Sequence, residues 1–589
     1  MTLSTTHKNI IAFLALSQVI VLWIFYNRSL LSDKFKSYYG AETNEETNPS
    51  NTSVHLPRMT ISQLSASENA TKSATRKAYR TSVAIGLGFT TMNAYQREIK
   101  MMPFFRSLMP SFCKTASDGY DYQFFLAYDY NDKLMSNRTF VEYFQKTFAT
   151  LAKKTCPSSS DYSIHFIVCG YAGKPAWAQN DAMIEAYLAG MEYFYRINDD
   201  TRMVTRNWTE RFIDSLQKLT PPLVGVVGPT HQGGNTAILT YDFTHRSHID
   251  IHGFHYPSEF PDWYSDRWIT DSYKPGRSIK CPDVRLVHTM ESGQRYRNSK
   301  RTAPQVYEQV AKAREKIIRY AVAKETRFQQ PDPKKVIAIS LYNASSAMTW
   351  GVVRNAQLMP IIYPGWTLHV YTSRRLIGRG PHYKAVANSY ISDRVIKTLE
   401  SLRAEVVYVE AVDGKRFPAQ LWSYLVADRP EVRLFLIRGA EQRLIDREVA
   451  VLEHWSQLKK AKAVYCMKDH PKHLNRTFLD GLWGAKSEDL RSLLGHITMQ
   501  QFIETHTKQF SGNQQELVTH IENILYEKVK KSIVYYDSIT CQQPHSLPFP
   551  IARIDSFYVG QKYNSREQPV LNERFDVLRS TSRKCDGKS

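Results

Sequence analysis

The chain has 589 residues, 42% of them apolar and 12% aromatic, with a formal charge of +21. That composition excludes a disordered or fibrous protein, and the length exceeds one ordinary core, so roughly two to four domains are expected. The Lys and Arg residues are scattered and no nucleic-acid motif accompanies them, so the charge reads as a basic surface that steers anionic small molecules or glycans.

Ile10 to Tyr26 form the only long uncharged apolar run, at the short end of what spans a bilayer. No small-x-small cleavage site follows, which makes the run an uncleaved signal anchor behind a cytosolic tail at 1–9. Lys8 before it and Arg28, Lys34 and Lys36 after it leave its orientation undecided. Sequons at Asn27, Asn51, Asn69, Asn137, Asn207, Asn343 and Asn475 favour a lumenal body in the secretory pathway. Residues 27–80, rich in Ser, Thr, Asn and Glu, read as a flexible stem. Cys113 and Cys156, in polar loop-like segments, are expected to pair, and Cys169 to be a buried thiol. Cys281, Cys466, Cys541 and Cys585 show no zinc spacing.

From Thr81 onward strands and helices alternate, which indicates an α/β layered sheet. Val83 to Gly88 is an apolar run whose glycines would let backbone approach a base or ribose; Tyr122 to Asp129 and Ile164 to Cys169 read as buried strands. Lys174 opens a helix that runs to Ala189, and the strand from Glu192 to Ile197 leads into Asn198-Asp199-Asp200. Ligands in such sheets bind at strand carboxyl ends, where Thr90, Asp129, Lys174 and Asn198 to Asp200 fall. Adjacent carboxylates there suit a divalent cation shared with a phosphate-bearing substrate, although they would also cap a turn or a helix starting near Asn207.

Val224 to Pro229 follows as a strand, and then Asp262 to Asp271 sets acids among aromatics, where a sugar could stack and give up a hydroxyl proton. Val284 to His288 is a strand-like run ending in an imidazole. A charged helix from Ala303 to Lys324 and a Pro-containing linker precede a second series of strands at 336–342, 366–371, 405–409, 434–437 and 463–466.

The order from Gly173 to His288 resembles the donor-binding half of GT-A glycosyltransferases, in which a Lys/Asn-bearing helix precedes the strand that ends in a DxD-type motif. The resemblance implies that Asn198, Asp199 and Asp200 are the DxD-like residues. It further implies that Asp199, Asp200 and His288 hold Mn²⁺ or Mg²⁺, and that Thr90, Asp129, Lys174, Asn180, Asn198 and Asp199 contact the donor. Asp266 is the expected general base and Asp271 its rival.

The second half resembles another domain of the same type, through Trp350 to Ala356, Pro364-Gly365-Trp366, Arg438 to Arg443, Met467 to Pro471 and Gly481 to Gly484. Gly439 and Glu441 stand where that type carries two Asp residues, so this half is expected to be degenerate, structural or acceptor-binding. Its Trp-rich loops fit a glycan surface or a large core. Glu441 with Asp469 or His470 remains a possible ligand set.

The expected fold is therefore α/β: two GT-A-like (Rossmann-related) mixed-sheet domains, at 81–300 and 334–589, joined by a helical linker at 301–333 behind an N-terminal transmembrane helix. The implied protein is a single-pass type II membrane glycosyltransferase of the Golgi or ER. It would move a sugar from a nucleotide-sugar donor, a UDP-sugar by preference, to a glycan or glycoprotein acceptor, with inversion and without nucleic acid. A bifunctional two-site polymerase and an inactive membrane-anchored glycan-binding protein are the alternatives.

Overall fold

The computed structural model describes residues 80–91, 98–233, 235–289, 303–325, 332–373, 391–409, 417–458, 462–473, 481–539, 546–553 and 557–570. The expected anchor at 10–26, the stem through 79, and Cys541 and Cys585 lie outside them. No helix among the described residues is long and apolar enough to cross a membrane.

The first sheet contains β1 (Ser82–Phe89), β2 (Asp121–Asp129), β3 (Asp161–Cys169), β4 (Tyr193–Arg196), β5 (Thr201–Met203), β6 (Val226–Gln232), β7 (Phe243–His245) and β8 (Ser278–His288), in the order β3-β2-β1-β4-β7-β6-β8-β5. Strands β3 to β4 in that order are mutually parallel, β7 is antiparallel to both its neighbours, and β5 is antiparallel to β8. Its helices are α1 (Met109–Thr115), α2 (Arg138–Thr155), α3 (Pro175–Leu188), α4 (Trp208–Gln217), α5 (Ser247–His252), α6 (Ser265–Ser272) and α7 (Ala303–Glu325). Strand β1 is apolar on both faces because helices cover both, as a central parallel strand requires. Strand β3 is an edge: its residues through Ile167 are half-buried and Val168 is exposed, not buried as expected, and only Cys169 at its end is buried.

The glycines of β1 make room for a helix and not for a nucleotide. A Cβ on Gly86 would lie 2.6 Å from the Met183 side chain, and one on Gly88 would lie 3.0 Å from the Pro175 carbonyl oxygen. Helix α3 therefore presses directly on β1. Cys113 and Cys156 form a disulfide and Cys169 is a buried thiol, but Cys113 sits within α1 and Cys156 directly follows α2, not in loops.

The second sheet contains β9 (Asp332–Ser340), β10 (Trp366–Thr372), β11 (Glu405–Tyr408), β12 (Leu434–Arg438), β13 (Val464–Lys468), β14 (Leu482–Lys486), β15 (Ile533–Asp537) and β16 (Ser546–Leu547), in the order β11-β10-β9-β12-β14-β13-β15-β16. Around it lie α8 (Ser346–Ile362), α9 (Asp393–Ser401), α10 (Asp446–Ser456), α11 (Ser487–Leu493), α12 (Met499–Lys508) and α13 (Gln514–Val529). Up to β15 the pattern of parallel and antiparallel pairings repeats that of the first sheet. The protein is thus mixed α/β with two large mixed sheets.

Each half has an apolar core of its own, and a further cluster joins the two. The joining cluster contains Ala84, Phe125, Met183 and Tyr187 from the first half with Ile337, Trp350, Val353 and Met359 from the second. The Tyr187 and Trp350 rings meet edge to face, 6.2 Å between centroids. Helix α7 is not a free connector: Val306, Val310, Ala313 and Ile317 bury one stripe of it in a core shared with Trp268 and Ile269 of α6. The linker boundary expected at 333 falls inside β9, which begins at Asp332.

Replacing Gly88 by Val should force α3 off β1 and lower stability by about 1–3 kcal/mol, the usual cost of overpacking. Denaturant unfolding of the variant against the parent measures it, and an unchanged midpoint would contradict the close approach.

Candidate functional site

Strand pairing brings the acids at the end of β4 to the end of β8. Strand β5 starts directly after Asp200 and pairs with β8 in a register that sets Thr201 opposite His288. His288 Nε2 consequently lies 3.2 Å from Asp200 Oδ1. Thr289 secures the turn by donating its N–H (3.0 Å) and its hydroxyl (2.8 Å) to the Asp200 carbonyl oxygen. On the other side Gly233, at φ +85°, lets its loop close on His288, where a Cβ would lie 2.9 Å from the carbonyl oxygen. Tyr241 packs beside this pair, its ring 6.2 Å from that of His288.

Asp199 and Asp200 are both buried. Among the described residues, however, no three His, Cys, Asp or Glu side chains converge as a metal centre, so the expected trio Asp199, Asp200 and His288 is not assembled. The physical reason is local: consecutive residues project in different directions, and two adjacent carboxylates do not by themselves aim at one point. The pair that does meet, one carboxylate and one imidazole, is a donor set that fits Mn²⁺.

Beside this pair lies a buried polar network that the sequence reading missed. Asp242 is fully buried; it accepts from Tyr256 Oη and lies 2.9 Å from His255 Nε2. Burial pushes its carboxyl up, but His255, Tyr256 and Arg196 together hold it below its ordinary 3.8. Arg196, the last residue of β4, donates to the Thr240 carbonyl oxygen while its Nε is buried without a hydrogen-bond partner. Asp266, in the first turn of α6, faces the same arginine. Burial raises its carboxyl above the ordinary 3.8, Arg196 opposes that rise, and the Asp242 charge adds to it.

Asp271 does not share that environment. It lies five residues along α6, about 140° round the helix, and its carboxylate is engaged by Arg267 (3.3 Å) and Lys274 (3.1 Å). Its carbonyl oxygen accepts from Arg314 of α7. It belongs to the α6–α7 junction, which corrects its standing as a rival base.

The expected donor contacts divide into two groups. Asn180 is committed to the fold: its Oδ1 accepts from the backbone N–H groups of His255 (2.8 Å) and Tyr256 (3.3 Å), fixing the two residues that hold Asp242. Thr90 and Asp129 do sit at the ends of β1 and β2. Asp129 accepts from Gly173 N (2.8 Å), and burial raises its carboxyl. Thr90 and Thr91 are gripped by Asp132, a residue not singled out from the sequence although it lies three positions past a strand end. Lys174 stands at the start of α3 with its ammonium 3.9 Å from the Trp177 ring centroid.

The corresponding place in the second half is closed. Arg438 ends β12 as Arg196 ends β4, and counted from these arginines Glu441 and Gln442 stand where Asp199 and Asp200 do. The chain's own segment 557–570 lies on this loop: Gln442 bridges Lys562, and Tyr563 N donates to the Glu441 carbonyl oxygen, 2.9 Å. Asp469 is saturated by Arg447, Arg553, Ser538 and the Val559 N–H, which corrects its reading as a possible ligand. Trp350, Trp455 and Trp483 are buried, so they build core and not a glycan surface.

No protein-family model and no curated protein matches the chain. Among solved structures it is similar to TarS 1-349 of S. aureus, at 12% identity and a TM-score of 0.25, covering 48% of this chain and 81% of that one. It is also similar to the mannosyltransferase PcManGT of Pyrobaculum calidifontis, solved in complex with GDP-Man and Mn2+, again at 12% identity and a TM-score of 0.25, covering 42% of this chain and 76% of that one. Likeness at this level carries no argument about chemistry; the geometry above has to carry it.

Replacing Tyr256 by Phe should raise the Asp242 pKa and cost about 1–3 kcal/mol, because a buried carboxylate loses a donor. A group held below its unfolded value of 3.8 stabilises above that pH and loses its contribution as pH falls through the folded value. Acid unfolding of the variant should therefore begin at higher pH than in the parent, and coincident acid transitions would refute the network.

Proposed function

We propose that the protein is a glycosyltransferase whose active centre is the strand-end face of the first sheet, using a nucleotide-sugar donor, UDP-linked by preference, and a glycan or glycoprotein acceptor. The observation that carries this is the joining of Asp200 and His288 just past β4, on the same strand whose last residue, Arg196, faces a partly buried Asp266 with a raised carboxyl. One strand end thus links an oxygen–nitrogen pair for a cation to a base whose proton affinity is increased.

Asp200 and His288 would hold Mn²⁺ or Mg²⁺ together with the donor diphosphate, with Asn198 in the same turn near the donor; the ion would supply charge neutralisation for the leaving group. Asp266 takes the proton of the acceptor hydroxyl. The hydroxyl oxygen bonds to the anomeric carbon from the face opposite the diphosphate, the carbon–oxygen bond to phosphate breaks, and the diphosphate leaves with its electron pair, which inverts the centre. The Arg196 charge limits the rise of the Asp266 pKa. Lys174 adds positive charge on the donor side, and exposed Trp263 offers a face on which a sugar ring can stack. The second half, with Glu441 and Gln442 under the chain's own segment, supports scaffolding rather than a second transfer, and favours the single-site reading over a polymerase with two.

We further propose a single-pass type II protein of the Golgi or ER membrane, anchored by residues 10–26, with this body in the lumen. Its support is the apolar run and the exposure of the sequon residues Asn137, Asn207 and Asn343. Peptide N-glycosidase treatment of the protein from secreting cells should lower its apparent mass, and an unshifted band would remove the lumenal placement.

Donor hydrolysis across UDP- and GDP-sugars with Mn²⁺ tests the reaction. Asp200→Ala should abolish turnover of the preferred donor in a folded protein, and Glu441→Ala should leave it within about twofold. Activity should be lost as pH falls through the raised Asp266 value, above 3.8, because the base works only when deprotonated. Full activity in Asp200→Ala would overturn the assignment.

A further inference from the structure

The segment that closes the second half's strand-end loop also reaches the first half's site. Between Lys562 and Val570 it folds back on itself: Tyr563 bridges Pro569, Asn564 N donates to the Gln568 carbonyl oxygen (3.0 Å), and the Asn564 side chain accepts from the N–H groups of Arg566 (2.9 Å) and Gln568 (3.1 Å). Its tip is anchored by Glu567, which takes a left-handed backbone at φ 57°. The Glu567 carboxylate lies 2.7 Å from Arg443 Nη2 and 3.6 Å from Arg354 Nε, with all three side chains nearly buried. Arg354 in turn donates to the carbonyl oxygens of Asp250 (2.7 Å) and Ile251 (2.9 Å) in α5 of the first half. So firm an anchor holds one residue at a defined place: Arg566, beside Glu567.

The Arg566 guanidinium lies over two rings of the first half, 4.7 Å from the Tyr171 centroid and 4.5 Å from that of Trp177. Lys174 lies over the same indole at 3.9 Å. Neither cation has an ion-pair partner among the described residues, and the guanidinium N–H groups donate to none of them. An arginine on an aromatic face is ordinary packing. Two cations sharing one indole, neither in an ion pair with an acid among the described residues, is not: the carboxylates in the neighbourhood, Asp181 and Asp129, accept from Tyr171 Oη and Gly173 N and form no ion pair with either cation. The place also matters. Trp177 Nε1 donates to the Ser258 carbonyl oxygen (2.8 Å) and Ala176 N to that of Pro261 (2.9 Å), which ties this aromatic wall to the loop leading into Trp263 and Asp266. On the other side Gly173 N, adjacent to Lys174, donates to Asp129 at the end of β2.

We propose that Arg566 and Lys174 form a subsite that grips an anionic oxygen group of the substrate, either the diphosphate of the donor or an acid group carried by the acceptor. The proposal rests on reading this strand-end face as the transferase site and adds a specificity residue supplied by the other half of the chain. The ion-pair partner the two cations lack is then the ligand. The guanidinium offers a planar fork of donors to phosphate or carboxylate oxygens, with the ammonium as a point charge beside it.

Calorimetric titration of the full chain with pyrophosphate, and separately with glucuronate, tests it for the parent, Arg566→Ala and Arg566→Lys. The parent should bind at least one probe saturably. Arg566→Ala should weaken that binding roughly tenfold to a hundredfold at an unchanged melting temperature, as loss of charge-assisted hydrogen bonds predicts. Arg566→Lys, which keeps the charge and loses the fork, should fall between the two. Loss on pyrophosphate places the grip on the donor, and loss on glucuronate places it on the acceptor. Equal binding by the parent and both variants, or no saturable binding of either probe by the parent, would overturn the subsite. Because the readout is binding and not turnover, a parent that binds in this way yet hydrolyses no donor would retain the subsite and remove the transferase reading.

Discussion

Everything at the candidate site depends on how closely helix α3 lies on strand β1. Two glycines without side chains let the helix descend onto the centre of the sheet, and its position then settles several things together. Its first turn presents Lys174 and Trp177 at the strand ends. Asn180, one turn on, pins the backbone of His255 and Tyr256. Its far face puts Tyr187 against Trp350 of the second half. A helix displaced by a side chain's thickness would loosen the aromatic wall, the Asp242 network and the junction between the sheets together.

The acids of the site are tuned by unequal compensation. Asp242, fully buried, receives a hydroxyl, an imidazole and a nearby guanidinium, so it remains ionised despite the cost of burial. Asp266 has the same guanidinium opposing burial but also feels Asp242, and its carboxyl is raised. Two carboxyls that share one arginine are thereby driven apart in proton affinity, a pattern that separates a structural acid from one able to exchange a proton.

The halves repeat one strand order with different outcomes. After Arg196 the chain carries two buried carboxylates, one of them paired with His288 at the end of β8; after Arg438 it has Glu441 and Gln442, and its own segment at 557–570 lies on the loop. That face of the second half is the seat of a strap. The strap's far end, at Arg566 and Glu567, is tied into the half that retained its acids. On the proposed reading, the second half contributes position and one side chain to the first rather than a second chemistry.

Much of this was legible along the chain. Apolar runs and their spacing predicted most strands of both sheets, the alternating α/β pattern and the helix from Ala303 to Lys324, because these follow from local periodicity and composition; the short strands β5, β7 and β16 and the strands β14 and β15 are not among them, and Cys113 pairs with Cys156 as expected although not from loops. The acids at 199 and 200, the acid at 266 and the imidazole at 288 were visible as residue types in order. What the sequence alone could not decide was which of them meet. Asp200 reaches His288 through the β5–β8 register, Asp271 turns away from Asp266 by the pitch of one helix, Asn180 is spent on backbone, and Arg566 arrives from the other end of the chain. Each of those outcomes is a contact between residues distant in sequence or on opposite sides of one element, fixed by strand pairing and helix packing, and no local pattern encodes it.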